Sequence, residues 1–374
     1  MIYLDYAASS IPYEECVQLL GSLSLTHFAN PGALHGPGNQ ARAVLNRSRK
    51  SLARLLGVKD REVFFTSGGT EANNWGILLG CRQGRGREIL VSATEHKSVL
   101  AAARAMEPRG FRIKLLYPDS SGRISPEAVS AAITSDTAML CVQAVNNETG
   151  VVQDVRAMSE IARQHRVPYL CDGVQSFGHV RQDLTGADLV SLSAHKFGGP
   201  RGVGCLVIRQ SLHPEPLLHG GGQELGLRSG TENLPAIAAM ARAAELAAEG
   251  LDREIIRLEM LKNLLLTSLR EADPRITANA DPSLSSPGIV NFHFPGISAE
   301  ELTVRLDARG ICVSPGAACS ARDNQPSHVL LAMGHSRERA AQSLRFSLGR
   351  NTTEADIAQT VAAIEDILHI RKER

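Results

Sequence analysis

Ser191-Leu192-Ser193-Ala194-His195-Lys196-Phe197-Gly198-Gly199-Pro200 passes from an apolar run, through a polar Ser–His–Lys cluster, into a glycine turn. The run 188–193 has the length and composition of a buried strand. Six more such runs lie at 62–66, 88–92, 112–117, 137–144, 168–172 and 203–209, and helical patterns at 38–56, 70–81, 97–107, 126–133 and 155–165 separate them. Ser125-Pro126-Glu127 and Asp154 supply helix start signals for the last two helices. Strands and helices alternating at this length predict an α/β fold with a mostly parallel sheet covered on both faces. Such sheets bind ligands at the carboxyl ends of their strands, which is where Ser193, His195 and Lys196 fall.

Two other strand ends carry chemistry. Phe64-Phe65-Thr66-Ser67-Gly68-Gly69-Thr70-Glu71-Ala72 runs from a strand through a glycine pair into a helix. Glycines admit close backbone approach and a helix N-terminus offers unpaired N–H groups, so Gly69 and Thr70 form a candidate phosphate cradle. A plain helix cap reads the same way when taken alone. In Tyr169-Leu170-Cys171-Asp172-Gly173-Val174-Gln175 an acid closes an apolar strand. Burying it is costly without a cation, and a protonated pyridine nitrogen would supply one. Lys196 could form a Schiff base if its amine is desolvated, with Ser193 and His195 donating to a phosphate beside it. Each of the three has an ordinary structural alternative; together they describe one kind of site.

The remaining composition fits this picture. The 374 residues exceed a single core and predict two domains: 12–255 as a large cofactor-binding domain, and 1–11 with 256–374 as a smaller α+β domain. A long alanine- and leucine-rich helix from about 234 to 271 reads as the bridge, followed by a strand at 288–294 and helices at 299–309 and 353–371. With 40 basic and 39 acidic residues, no footprint for direct nucleic-acid binding appears. Apolar runs are too short to cross a membrane, and residues 1–5 lack a signal-peptide pattern, so a cytoplasmic protein is expected. Seven scattered cysteines with no Cys-x-x-Cys pair argue against a disulfide framework or a metal site.

The chain resembles the cysteine desulfurases of the nitrogen-fixation and iron–sulfur-cluster type, class V aminotransferases of fold-type I that use pyridoxal 5'-phosphate. The matching motifs run nearly end to end. They include Tyr3-Leu4-Asp5-Tyr6-Ala7-Ala8, Thr94-Glu95-His96-Lys97, Val145-Asn146-Asn147-Glu148-Thr149-Gly150, Ser193-Ala194-His195-Lys196, Arg228-Ser229-Gly230-Thr231 and Arg345-Phe346-Ser347-Leu348-Gly349-Arg350. The resemblance implies that Lys196 holds the cofactor and that Gly69, Thr70, Ser193 and His195 hold its phosphate. It implies a homodimer in which Thr231 reaches the neighbouring subunit's phosphate. His96 would stack on the ring and help move protons, Asp172 would pair with the ring nitrogen, and Asn147 and Gln175 would contact ring substituents. Arg345 would clamp the substrate carboxylate, with Asn30 and His35 lining the substrate pocket.

In Ser314-Pro315-Gly316-Ala317-Ala318-Cys319-Ser320 small residues surround a thiol, and the resemblance places the persulfide-forming nucleophile at Cys319. Cys312, inside an apolar run, reads as core. Pro315 and Gly173 depart from the family's common small polar residue and alanine. The implied reaction converts L-cysteine to L-alanine and passes sulfur to an acceptor protein in iron–sulfur cluster assembly or tRNA thiolation. A selenocysteine lyase or small-amino-acid aminotransferase of the same fold is the alternative, and a non-catalytic protein of this fold is a third. No Gly-x-Gly-x-x-Gly opens the first strand–helix unit, which sets a dinucleotide enzyme aside.

Overall fold

The computed structural model describes residues 1–315 and 326–372. In chain order it begins with β1 (Ile2–Tyr3), α1 (Glu14–Thr26), α2 (Gly36–Leu55), β2 (Val63–Thr66), α3 (Gly69–Gln83), β3 (Glu88–Ser92), α4 (Lys97–Arg104) and β4 (Arg112–Leu116). It continues with α5 (Pro126–Ala132), β5 (Thr137–Cys141), α6 (Val155–His165), β6 (Tyr169–Asp172), β7 (Leu189–Ser193), β8 (Gly204–Ile208) and α7 (Leu234–Ala272). The last part holds β9 (Thr277–Ala278), β10 (Ile289–His293), α8 (Ala299–Asp307), β11 (Ile311–Cys312), α9 (His328–Ala332), α10 (Arg337–Ala341), β12 (Ser343–Ser347) and α11 (Glu354–Lys372).

Seven strands form the main sheet in the order β2-β8-β7-β6-β5-β3-β4. Strands β3 to β7 run parallel, while β8 is antiparallel to both β7 and β2. Side chains alternate between the faces, as the pleat requires. Phe64, Leu170, Leu189 and Leu206 pack with Trp75 of α3 and Val99 of α4. Phe65, Tyr169, Val190 and Cys205 face the opposite core, with α2, α6 and the start of α7. Burial on both faces is why these strands read as continuous apolar runs. The stretch 142–144 lies beyond β5 but stays extended, its Val142 and Ala144 N–H groups donating to Leu170 O and Asp172 O.

Helix α6 shows how local sequence sets an element: the Asp154 side chain caps it by accepting from Ala157 N, and Val155, Met158, Ser159 and Ala162 form its buried stripe. Helix α7 is 39 residues long, about 58 Å at 1.5 Å per residue. Its first half (Leu234 to Ala247) belongs to the core under the main sheet. Its second half (Leu258, Leu261, Leu265 and Leu269) packs into a separate cluster with Ile2, Leu4, Phe292, Phe346 and Ile364. Around that cluster lie the antiparallel β12-β10-β9 sheet, the β1-β11 pair, α8 and α11.

Three expectations change. Helix α1 was not anticipated: its sequence mixes Gly21, Ser22, Ser24 and Thr26 with apolar residues and has no side-chain cap, so docking on α7 stabilises it rather than propensity. The helix 97–107 stops at Arg104, and a 3-10 turn, Glu107–Arg109, follows with Pro108 inside it. Cys312 is half-buried rather than core, because the two-residue β11 lies at the rim of its cluster.

Candidate active site

The carboxyl ends of β2, β6 and β7 meet the segment Ala7–Ala8 around a cavity of ≈ 280 Å³. Its wall includes Gly69, Thr70, His96, Asn147, Asp172, Gln175, Ser193, His195, Lys196 and Arg345, which the sequence scatters over almost 280 positions. Thr231 does not line it and stands exposed just after Gly230. Asn30 and His35 are exposed as well and serve their own loop: Asn30 Oδ1 accepts from Gly32 N at 2.8 Å, and His35 Nδ1 caps α2 by accepting from Gly38 N at 3.2 Å. Cys319 lies outside the described residues.

Two residues beyond β2 comes Gly68, whose φ of 154° favours glycine, and α3 starts at once without a side-chain cap. Its first-turn N–H groups therefore point outward unclaimed by a capping side chain, as an anion site requires. Gly204 of β8 lets this turn sit close to the sheet: a Cβ there would stand 2.7 Å from Gly68 Cα. Beside the turn, burial, then Lys196 and Arg201, push His195 down from 6.5 to about 4. It is neutral near pH 7 and can donate a hydrogen bond to a phosphate oxygen.

Lys196 sits in a 3-10 turn that closes β7. Its ammonium donates to Ala7 O at 2.6 Å and Ala8 O at 3.0 Å. Its own carbonyl accepts from Ser10 Oγ at 2.5 Å and His179 Nε2 at 2.9 Å, which fixes the backbone under the amine. Gln175 Nε2 also donates to Ala7 O, at 2.7 Å.

Asp172 is buried at the end of β6. Its carboxylate accepts from Asn73 Nδ2 at 2.7 Å and Val174 N at 3.0 Å, and it forms no ion pair among the described residues. A buried carboxylate held by neutral donors is complete only with a cation. Next to it burial, reinforced by Asp172, raises the Glu95 carboxyl well above its ordinary range. Burial also lowers His96 below 6.5, opposed by Asp172 and assisted by Lys196.

Arg345 on β12 is buried, with Nη2 on Asp5 Oδ1 at 2.6 Å and Nη1 on Asn147 O at 2.8 Å. Its Nε has no partner among the described residues. Sequence reasoning missed His328, which lines the cavity and donates from Nε2 to Glu95 O at 2.9 Å. It also missed Asp5, Asn73 and Ser98. Asn73 follows Thr70 by three positions on a helix and Ser98 follows His96 by two at the start of α4, so both lie within local reach; Asp5 arrives from a distant segment and leaves no local signal.

A carboxylate lacking a cation, an uncapped helix start beside a neutral histidine, and an amine on the same wall fit pyridoxal 5'-phosphate: ring nitrogen, phosphate and carbonyl in turn. The family model for "Aminotransferase class-V" matches residues 2–360. A "Cysteine desulfurase IscS" of Dictyoglomus turgidum is 37% identical over 98% of this chain and 94% of its own length. The chain belongs to the cysteine desulfurase branch of the class-V aminotransferases. A "Cysteine desulfurase IscS" of Methanosarcina thermophila, 36% identical, covers 98% of this chain and 92% of its own. A solved "NIFS-LIKE PROTEIN" superposes with a TM-score of 0.92 at 32% identity, covering 99% of both chains. The structure described as "SspA in complex with cysteine" gives 0.79 at 32%, covering 93% of this chain and 99% of that one. This cysteine desulfurase is pyridoxal-phosphate-dependent, as its family is.

Proposed function

We propose that the cavity turns L-cysteine into L-alanine and leaves the sulfur as a persulfide on Cys319. The observation that supports this best is the convergence of Lys196, Asp172, His96 and Arg345 on one wall. Gly69, Thr70, Ser193 and His195 would hold the cofactor phosphate, Asp172 its ring nitrogen, and Asn147 and Gln175 its substituents. When bound, the cofactor supplies an electron sink that makes the substrate's α-proton removable. Arg345 orients the substrate through its carboxylate, a task for a planar two-pronged cation. Lys196 would take the α-proton at Nζ and later return a proton to the same carbon. The Cys319 thiolate attacks the substrate sulfur; the carbon–sulfur bond breaks toward carbon, and a proton from the site completes the alanine methyl group.

The same reading divides the chain into 12–255 and 1–11 with 256–374, supported by the two separate apolar clusters along α7. It makes the enzyme a homodimer with Thr231 completing the partner's phosphate site, placed in the cytoplasm and serving an acceptor protein in iron–sulfur cluster assembly or tRNA thiolation. No helix among the described residues is long and apolar enough to cross a membrane. The test is Cys319→Ala. It should keep the bound cofactor's visible absorbance yet lose alanine and sulfide production, with mass analysis of the wild type showing one added sulfur on Cys319. Full desulfuration by the variant would overturn the assignment.

A further inference from the structure

Between Asp172 and His96 lie two side chains that no part of the reaction above employs. Asn73 Nδ2 stands 2.7 Å from Asp172 Oδ2 and 2.9 Å from Ser98 Oγ. Ser98 Oγ stands 2.7 Å from His96 Nδ1, and Ser98 N donates to the same Nδ1 at 3.1 Å. The direction of every bond follows. A backbone N–H can only donate, so His96 Nδ1 carries no proton. The hydroxyl facing a bare Nδ1 must donate to it, so Ser98 Oγ accepts from Asn73. The amide group facing Ser98 is then the NH2, and its second hydrogen serves Asp172, which as a carboxylate only accepts.

All four side chains border the cavity and Asn73 is buried, yet its Oδ1 has no partner among the described residues. An amide placed for packing would pair its oxygen as well. Here the two hydrogens decide the placement.

We propose that Asn73 and Ser98 are positioning residues for the desulfurase reaction: their relay holds His96 with its proton on Nε2 and holds the Asp172 carboxylate in place. The proposal rests on the reading of His96 and Asp172 as working parts of the site, and extends it. His96 in this state offers the cavity a donor at Nε2, and Nδ1 is closed to protons by two donated bonds. His96 is faced by Asp172, Lys196, His328 and Glu148, none of which reaches Nδ1 with a hydrogen bond.

Holoenzyme labelled with 15N-histidine, with His96→Gln to assign the resonance, reads the tautomer directly. A bare Nδ1 and a protonated Nε2 are expected. Losing a bond donated to Nδ1 favours the imidazolium, so Ser98→Ala raises the ionisation midpoint of His96, by about one pH unit. Ser98→Thr, which keeps the hydroxyl, restores it. Asn73→Ala, which removes both donated bonds, lowers turnover about tenfold while cofactor content stays at the wild-type level. A protonated Nδ1 in the wild type, or an unmoved midpoint in Ser98→Ala, overturns the proposal. Normal turnover by His96→Gln would instead sink the role of His96 and leave the tautomer result standing.

Discussion

Arg345 and Asp5 stand 340 positions apart and meet in a 2.6 Å ion pair with little solvent around either group. Arg345 also lines the cavity, and its buried Nε has no partner among the described residues. Arg345→Lys keeps the charge but loses the fork, so KM for L-cysteine should rise at least about tenfold, measured by steady-state alanine formation. Asp5→Asn leaves the buried cation uncompensated and should cost about 2–3 kcal/mol, seen as a lower Tm. An unchanged melt would mean that Asn147 O alone holds the guanidinium.

At the scale of elements, the sharpest device is the turn from β2 into α3. The anion site proposed there depends on Gly68 adopting a φ of 154° and on an uncapped helix start. Gly68→Ala meets no severe clash, since its Cβ would lie 3.7 Å from Ser193 Oγ, so the cost is backbone strain alone. The cofactor-free Tm should fall with that strain, and where the turn relaxes to escape it cofactor Kd should increase about tenfold, measured by titration of the visible band. Two rigid pairs stand behind this turn. Arg49 forms a two-pronged bridge to the buried Glu224, which also accepts from Phe65 N at 2.9 Å, and Arg228 clasps Glu71 of α3 at 2.8 Å. They tie the loop leading to Thr231 to the cradle, although Glu224 and Leu225 hold positive φ there.

For the whole molecule, the half-buried His195 makes stability depend on pH. Folding lowers His195 from 6.5 to about 4, so the folded state binds fewer protons than the unfolded chain between those values. The stability linked to this group is complete above pH 6.5 and declines as pH falls toward 4. In cofactor-free protein, His195→Gln should flatten the Tm profile across that window and leave its slope above pH 6.5 unaltered. Parallel profiles would show that His195 does not titrate as its burial requires.

Much of this was readable from the chain. Strands β2, β3 and β5 to β8 follow from short apolar runs, because burial on both faces demands them, and helix α6 follows from its Asp154 cap and apolar period. That Lys196, Asp172 and Gly69 would meet at one cavity was legible because parallel strands deliver their carboxyl ends to one edge. What only the tertiary structure decided is everything that depends on distance in space rather than along the chain. Helix α1 forms because α7 lies beneath it, Asp5 reaches Arg345 because β12 closes beside the first strand, and Asn73 reaches both Ser98 and Asp172 because α3 packs against α4 and β6. Pattern reveals which faces must be buried; it does not reveal which buried polar groups will meet, since those pairings are settled only when separate elements pack.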